Sequence, residues 1–241
     1  MLSKVDSTNT YAKSRCLSGI ADKSVIIAHH QTSGRGRQGK DFYSPKGGLY
    51  MSIVLEADKI GDSESLITVC AVIAVCRALQ TVCNIEACVK WVNDVFCDGR
   101  KISGILCEAV TDIRTLKTSY YIVGIGINIG QNEFPEDIKN IAGSIVCSEE
   151  AANLLAAETA KQLFDIIENF SSADIVSEYR SKLMMLDRPV SFTLNEKKYD
   201  GMALDINQCG NLIVKCGEEI LTLSSGEISL SSGNFTKKGT E

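Results

Sequence analysis

Apolar residues in the first half of the chain recur with two periods, one typical of strands and one typical of a helix. Residues 24–30 and 48–55 are short, mostly apolar runs, as in buried strands. Between residues 62 and 82, apolar side chains cover much of a helical circumference, so we expect a helix packed inside the domain against a sheet. Residues 101–108 and 120–129 predict two more strands of that sheet.

The pattern changes near residue 186. Residues 148–185 have helical apolar spacing, and four short apolar segments separated by turn residues come after them. Short strands at this spacing are typical of a small barrel or sandwich. We therefore predict one domain at residues 1–185, a second at 186–233 and a frayed tail at 234–241.

A glycine-rich basic loop, Gln31 to Pro45, lies between the first two predicted strands. Residues 34–40 alone contain three glycines, two arginines and a lysine. Glycine lets backbone N–H groups approach an anion, and arginine presents forked donors that fit carboxylate or phosphate oxygens. The loop therefore predicts a phosphate-handling site, with a mobile, solvated basic loop as the alternative.

Two phosphate-binding motifs nearly fit this loop. Residues 34–39 match G-x-G-x-x-G, and residues 34–40 match most of the P-loop pattern. Both motifs need a helix that starts at their end, whereas this chain continues through Pro45 into a second glycine pair. In addition, Asp41 stands where a P-loop has its magnesium-binding Ser or Thr. Neither motif explains the loop.

Composition narrows the class of protein. The chain has 241 residues and a net charge of −5, which disfavours a general nucleic-acid binder because such a protein needs a basic face. Its ten cysteines lie mostly within apolar runs, without a CxxC pair or a Cys/His cluster, so we expect buried free thiols and no zinc site. The N-terminus lacks the apolar core of a signal peptide, and the longest apolar run, 66–76, is too short for a bilayer. These features predict a cytoplasmic protein with no membrane partner.

One cluster of capping residues and two unusual strands are further candidates for a site. Residues 6–9, DSTN, precede a predicted short helix, and their simplest interpretation is a helix cap. Lys101 is a lone cation at the start of an apolar strand, and Gly124 and Gly126 interrupt another strand. Glycine weakens a strand unless another backbone or a ligand comes close. A ligand lying across this face would explain both strands, and a bulge or tight sheet packing is the alternative.

Taken together, five segments in register resemble the biotin–protein ligases. They are DSTN at 6–9, QTSGRGRQG at 31–39, KWVND at 90–94, KISGIL at 101–106 and GIGIN at 124–128. The C-terminal segments LDRPV, GNLIV and SGEISL are similar to the small SH3-like domain of that family. The resemblance implies an α+β fold, with a mixed-sheet catalytic domain of the biotin/lipoate ligase type followed by a small C-terminal SH3-like β-barrel.

The resemblance also implies a two-step reaction with biotin and ATP as substrates and Mg²⁺ as a cofactor. Biotin's carboxylate attacks the α-phosphate of ATP to give biotinyl-5′-AMP and pyrophosphate. A lysine amine of a biotin carboxyl carrier protein then attacks that mixed anhydride. Because two anions meet in the first step, cations must offset the charge at the α-phosphate and on the leaving pyrophosphate.

Site residues follow from the matched motifs. The resemblance assigns charge stabilisation to Lys101, Arg37 and Arg35 and orientation of the acceptor amine to Asp94. Hydrogen bonds to biotin's ureido ring fall to Ser7, Thr8, Asn9 and Gln31. The remaining ligand-binding positions are the loop glycines, the sheet glycines, two asparagines that face the nucleotide or its metal and one aromatic ring: Gly34, Gly36, Gly104, Gly124, Gly126, Asn93, Asn128 and Phe42.

Two residues depart from the family pattern. Val92 replaces the usual proline of KWPND, and Phe42 stands where tryptophan is frequent. The chain starts almost at residues 6–9, so we expect the monofunctional type, with no N-terminal DNA-binding domain and no DNA partner. The resemblance does not decide which residues hold magnesium, and it leaves a homodimer open.

Two other functions remain as alternatives. A lipoate–protein ligase or transferase has a related fold, but it lacks this combination of GRGRQG with KWVND. A non-catalytic biotin-binding module would need neither Lys101 nor the two arginines.

Overall fold

The structure, a computed structural model, describes residues 1–16, 18–19, 22–131, 133–226 and 228–230. Four helices are present there: α1 (Thr8–Cys16), α2 (Ile67–Cys83), α3 (Glu149–Glu168) and α4 (Ser172–Lys182). The strands of the first part are β1 (Val25–Ala28), β2 (Leu49–Glu56), β3 (Cys88–Lys90), β4 (Asp94–Cys97), β5 (Arg100–Thr111) and β6 (Thr118–Ile127). Those of the second part are β7 (Arg188–Leu194), β8 (Lys197–Ile206), β9 (Leu212–Cys216), β10 (Glu219–Leu223) and β11 (Ile228–Leu230). The α+β class is as predicted.

The larger sheet has the strand order β1-β2-β6-β5-β4-β3. All of its ladders are antiparallel. The parallel pairing expected of a mixed sheet is confined to isolated bridges, such as Leu2 with Ala28 at one edge and Val89 with Leu183 at the other. Both edges of this sheet are thus partly covered by neighbouring segments of the chain.

Alternation along β2, β6 and β5 gives the sheet two different faces. The core face carries Met51, Ile53, Val123, Ile125 and Ile105, all of them buried in the main hydrophobic cluster. The opposite face, called the site face below, carries Ser52, Gly124, Gly126, Gly104 and Glu108. Because side chains of a strand alternate between faces, one strand supplies both the core and the site.

Helix α2 packs on the core face and is covered by α3 and α4. Its predicted start at residue 62 is early, since Gly61–Leu66 form a 3-10 helix before it. The segment Ser63–Cys83 is long and apolar enough to cross a membrane, so the apolar run expected at 66–76 understates its length. Of its 18-residue apolar window, 67% is buried inside the protein. That burial identifies a core helix, whose apolar surface is already covered.

The turn between β4 and β5 is a tight hairpin turn at Asp98 and Gly99. Asp98 and Gly99 have φ values of 49° and 73°, which a tight hairpin turn requires. The ladder that follows contains a register shift between Val95 and Phe96, which pairs Phe96 with Lys101 and Val95 with Ser103. The hairpin therefore sets the position of Lys101 relative to Asp94.

The C-terminal part is a five-stranded antiparallel sheet with the order β10-β9-β8-β7-β11. Within the described residues β10 and β11 lie at its two edges, and the closed SH3-like barrel stays a prediction. The indole Nε1 of Trp91 donates to the carbonyl of Gly210 at 2.8 Å, and Arg180 pairs with Asp205 at 2.8 Å. These contacts connect the second sheet to α4 and to the turn that precedes β4. The boundary at residue 186 remains our prediction, and the tail at 234–241 lies outside the described residues.

Candidate active site

A cavity of about 400 Å³ opens over the site face of the larger sheet. Its walls come from the start of α1, the glycine-rich loop, the turn between β3 and β4, a segment around residues 134–142 and the start of β11. Gly34 is the one predicted site residue that does not line it. Those that do are Ser7, Thr8, Asn9, Gln31, Arg35, Gly36, Arg37, Phe42, Asn93, Asp94, Lys101, Gly104, Gly124, Gly126 and Asn128. Segments far apart in the chain therefore meet where the motifs predict.

The DSTN segment does more than cap a helix. Ser7, Thr8 and Asn9 are only 2–3% exposed. The backbone N–H and hydroxyl of Thr8 both donate to Gln31 Oε1, at 2.8 and 3.1 Å. Asp6 accepts a local bond from the backbone N–H of Ser7. Ser7 also lines the cavity, so a ligand there could reach its hydroxyl.

Gln31 connects α1 to the far end of the loop. Its Nε2 donates to Ser44 Oγ at 2.9 Å, and Ser44 Oγ donates in turn to the carbonyl of Phe42 at 2.8 Å. Both ends of the Gln31 amide are therefore bonded inside the protein. Sequence reasoning missed Ser44, which looks like an ordinary loop serine but is 5% exposed.

The sheet glycines make room for side chains that lie across the site face. A Cβ on Gly124 would come within 2.3 Å of Asn9 Oδ1, and one on Gly126 within 2.4 Å of Phe42 Cε1. Gly104 is less crowded, at 3.1 Å from Phe42 Cε2. The prediction that these glycines also admit a ligand remains open, because the atoms found above them belong to Asn9 and Phe42.

Gly34 serves the loop rather than the cavity. A Cβ there would lie 2.3 Å from Ser44 Oγ and 2.4 Å from the carbonyl oxygen of Phe42. The Phe42 N–H also donates to the Gly34 carbonyl at 2.9 Å. The absence of a side chain at Gly34 thus lets the two ends of the loop come together, which places Phe42 over the sheet.

The loop is folded back on itself. The Gly36 N–H donates to the carbonyl of Lys40 at 2.7 Å, and Arg37–Gly39 form one 3-10 turn with Gln38 at φ 55°. Residues 31–50 are all described, and no α-helix begins there. The two helix-dependent phosphate motifs are therefore excluded, as the sequence predicts.

Each of the three predicted cations has a partner. Lys101 Nζ lies 2.6 Å from Asp94 Oδ1, so the expectation that Lys101 is a lone cation is wrong. The Nη1 atom of Arg37 donates to Asn93 Oδ1 at 3.1 Å, and Asn93 Nδ2 donates to the Ile105 carbonyl at 2.8 Å. The pairing of Lys101 with Asp94 could not be predicted from the sequence, because it depends on the register shift between β4 and β5.

Glu108 is a site residue that sequence reasoning missed. Its carboxylate lies 2.6 Å from Lys13 Nζ, 2.9 Å from Asn9 Nδ2 and 3.2 Å from Arg35 Nη1. Burial raises its pKa, but the hydrogen bonds from Lys13 and Asn9 and the charges of Lys13 and Arg35 outweigh burial, so that the pKa of Glu108 is lowered overall. The feature of the sequence that could have identified Glu108 is the alternation along β5, which puts Glu108 on the same face as Gly104.

Asn128 and residues of two later segments complete the lining of the cavity. Asn128 is 5% exposed, and its Nδ2 donates to the Gly143 carbonyl at 2.9 Å. Phe134, Ile138 and Ile141 contribute apolar lining, and Gly226, Ile228 and Ser229 of the C-terminal part also line the cavity. Within the described residues, no group of three or more His, Cys, Asp or Glu side chains is placed to hold a metal ion.

Comparison with known proteins gives the class. The profile of the biotin/lipoate A/B protein ligase family matches residues 2–128, and the profile of the biotin protein ligase C terminal domain matches residues 185–231. The chain therefore belongs to the biotin/lipoate A/B protein ligase family, and it is an enzyme with the fold of the biotin protein ligases.

Individual relatives agree over nearly the whole chain. The bifunctional ligase/repressor BirA of Escherichia coli is 29% identical over 240 residues, covering 96% of this chain and 74% of that protein. The biotin--[acetyl-CoA-carboxylase] ligase of Paracoccus denitrificans is 27% identical, covering 89% and 93%. The solved biotin protein ligase from Aquifex aeolicus in complex with biotin and ATP is 29% identical, with a TM-score of 0.78 and coverage of 96% and 97%.

Proposed function

We propose that this protein is a biotin–protein ligase that activates biotin with ATP and transfers it to a lysine of a biotin carboxyl carrier protein. The observation that carries the proposal is that the cations Lys101, Arg35 and Arg37 line the same cavity as the buried polar residues at the start of α1. An anionic reaction centre can thus lie beside a pocket for a small neutral ring.

In the first step, an oxygen of biotin's carboxylate bonds to the α-phosphorus and the bond to the leaving pyrophosphate breaks. Lys101, Arg37 and Arg35 would stabilise the negative charge that builds up on these oxygens. Because Lys101 is held by Asp94 and Arg37 by Asn93, their side chains are oriented before substrate arrives. Preorganised charges of this kind need no rearrangement in the transition state.

Biotin would lie with its ureido ring toward α1. Ser7, Thr8, Asn9 and Gln31 surround that end of the cavity with hydroxyl and amide groups. Ser7 would contribute its hydroxyl from the cavity lining, whereas Gln31 and Asn9 mainly orient their neighbours through the bonds they already make. Gly104, Gly124 and Gly126 would leave room for Asn9 and Phe42 to lie close to the sheet, with the ring and the valeryl chain of biotin packed beside these two side chains.

The nucleotide would lie against Phe42, Asn128 and the C-terminal wall. Mg²⁺ is bound in most nucleotide sites through substrate phosphates and one or two carboxylates. Among the described residues, Asp94 and Asp41 are the carboxylates that line this cavity, so the donor set fits such a shared site and not a protein cage. When bound, Mg²⁺ would supply further charge neutralisation at the phosphates.

In the second step, the lysine amine of the carrier attacks the anhydride carbonyl, an amide forms and AMP leaves. Asp94 would orient the amine, since it lies beside Lys101 at the reaction centre. We place this reaction in the cytoplasm and leave a homodimer open. A lipoate ligase remains the second candidate because the family includes both, but the biotin ligase C-terminal profile at residues 185–231 favours biotin.

The direct test is incubation with biotin, ATP labelled at the α-phosphate and a carrier domain. We expect labelled adenylate with biotin alone, and loss of the adenylate with biotinylation when the carrier is added. A carrier whose acceptor lysine is changed to arginine is the control for transfer. Turnover of lipoate in place of biotin, or no adenylate with either acid, would refute the proposal.

A further inference from the structure

Three separate elements of the site meet at one carboxylate. Glu108 lies on β5, and it contacts Asn9 and Lys13 of α1 and Arg35 of the glycine-rich loop. Its side chain is 15% exposed, so the carboxylate lies mostly inside the protein. No other strand residue of the site face connects α1 to the loop among the hydrogen bonds and ion pairs of the described residues.

The contact with Asn9 determines which way that amide points. Asn9 Oδ1 accepts from Ser52 Oγ at 2.6 Å, and Asn9 Nδ2 donates to Glu108 Oε2 at 2.9 Å and to the Leu106 carbonyl at 3.3 Å. An ionised carboxylate only accepts hydrogen bonds, so it holds the NH₂ group of the amide on its own side. Asn9 has little room to move, because it lies directly over Gly124.

The contact with Arg35 holds the loop against the sheet. Nη1 is the guanidinium nitrogen that reaches Glu108, at 3.2 Å, and the side chain is otherwise 46% exposed. A guanidinium has five N–H donors, so most of them remain available for an anion in the cavity. Lys13 shares the same carboxylate, so that two cations meet one anion and the cluster keeps a net positive charge.

We propose that Glu108 is a positioning residue for the binding of biotin, and that it fixes the Asn9 amide and holds the loop closed through Arg35. The inference rests on the proposed function for its effect on biotin, whereas its effect on the loop does not. Glu108 itself does not touch the reacting atoms. It acts through two residues that line the cavity.

The test compares Glu108→Gln with the parent enzyme in adenylate formation. The substitution keeps the size of the side chain but removes its charge and lets an N–H group face Asn9. We expect the KM for biotin to rise about tenfold, the value for one lost hydrogen bond to a charged group, with a smaller effect on kcat and on the KM for ATP because the other donors of Arg35 remain available to the anion. Glu56→Gln is the matched control, since Glu56 pairs with Lys59 at 2.9 Å and does not line the cavity.

A second measurement does not need activity. Trypsin cleavage after Arg35 should be faster in ligand-free Glu108→Gln than in the parent and in Glu56→Gln, when all three are measured well below their unfolding temperatures. Equal cleavage rates together with an unchanged KM for biotin would overturn the inference. A fall in kcat without a change in KM would also contradict it. If the parent makes no adenylate, the proposed function fails, and the cleavage rates still decide whether Glu108 holds the loop.

Discussion

The two faces of the larger sheet are built from the same strands but are held in different ways. On the core face, Ile53, Val123 and Ile105 belong to the main hydrophobic cluster together with α2, and burial of apolar area stabilises them without specific partners. On the site face, the neighbouring residues Ser52, Gly124 and Glu108 are covered by polar side chains from distant segments. Because side chains alternate along each strand, residues that stabilise the core and residues that form the site are neighbours in the same strand.

The two faces of the sheet differ in how well they tolerate substitutions. An apolar contact is not directional, so a core side chain can be exchanged for another of similar volume at modest cost. A polar contact on the site face depends on angle and distance, and a buried group that loses its partner keeps the full cost of desolvation. We expect changes on the core face to reduce stability with little change in catalysis, and changes on the site face to do the reverse.

The largest effect on stability should come from Ile53→Ala. Ile53 is fully buried, and removal of a buried isoleucine side chain costs about 2–5 kcal/mol of unfolding free energy. Urea unfolding would measure this loss, and adenylate formation per folded molecule should be unchanged. Ser52→Ala, one residue away on the other face, is the matched variant. It should lose biotin affinity with less loss of stability, and an equal loss of stability in both would remove the distinction.

The largest effect on catalysis should come from Lys101→Ala. Loss of a preorganised charge donor costs about 3 kcal/mol of transition-state stabilisation, so adenylate formation should nearly disappear. Pyrophosphate release would measure it. Since the variant leaves Asp94 without its ion pair, thermal unfolding must show that the fold is retained. Lys59→Ala, whose partners Asp22 and Glu56 lie outside the cavity lining, is the control, and near-parental pyrophosphate release by Lys101→Ala would refute the assignment.

Whether a feature of the fold or the site could be predicted from the sequence depends on how far apart in the chain its interacting residues lie. Period alone predicts β1, β2, β5, β6 and α2, because alternation and helical spacing are local properties of the sequence. The predicted start of α2 was less accurate, because residues 61–66 form a 3-10 helix that has no separate apolar pattern. The motifs predicted which residues meet at the cavity, because residues of each motif form part of its lining.

Long-range polar partners were not predictable in this way. Glu108 appears in the sequence as one polar residue of an alternating strand, and its contact Asn9 lies 99 residues earlier. The pairing of Lys101 with Asp94 depends on a register shift, which no local pattern announces. Both cases lie on the site face, where specific partners decide the structure.

A smaller effect should follow from filling the space above the site-face glycines. A Cβ on Gly126 would meet the Phe42 ring at 2.4 Å, so Gly126→Ala should cost about 1–3 kcal/mol of unfolding free energy through displacement of that ring. Gly104→Ala, at 3.1 Å from the same ring, should cost less. Thermal or urea unfolding of the two variants would test the order.

The cause can be isolated with a second substitution. In the Phe42→Ala background the ring is absent, so Gly126→Ala should then be nearly neutral, which a double-mutant cycle would show as a coupling between the two positions. A cost that persists without the ring would mean that the sheet itself cannot accept the Cβ.

The smallest effect should be the pH dependence of the Glu108 cluster. The pKa of Glu108 is lowered in the folded protein, so the folded state favours its ionised form. Its contribution to stability is therefore present above the unfolded value, about 4.3 for Glu, and is lost as the pH falls through the lower folded value. The difference in unfolding free energy between the parent and Glu108→Gln should be about 1 kcal/mol at pH 7, as for an ion pair near a surface, and should shrink below pH about 4.3. Other carboxylates titrate in both proteins and cancel in the difference. A difference that stays constant or grows in acid would mean that the ionised form of Glu108 does not hold α1 and the loop together.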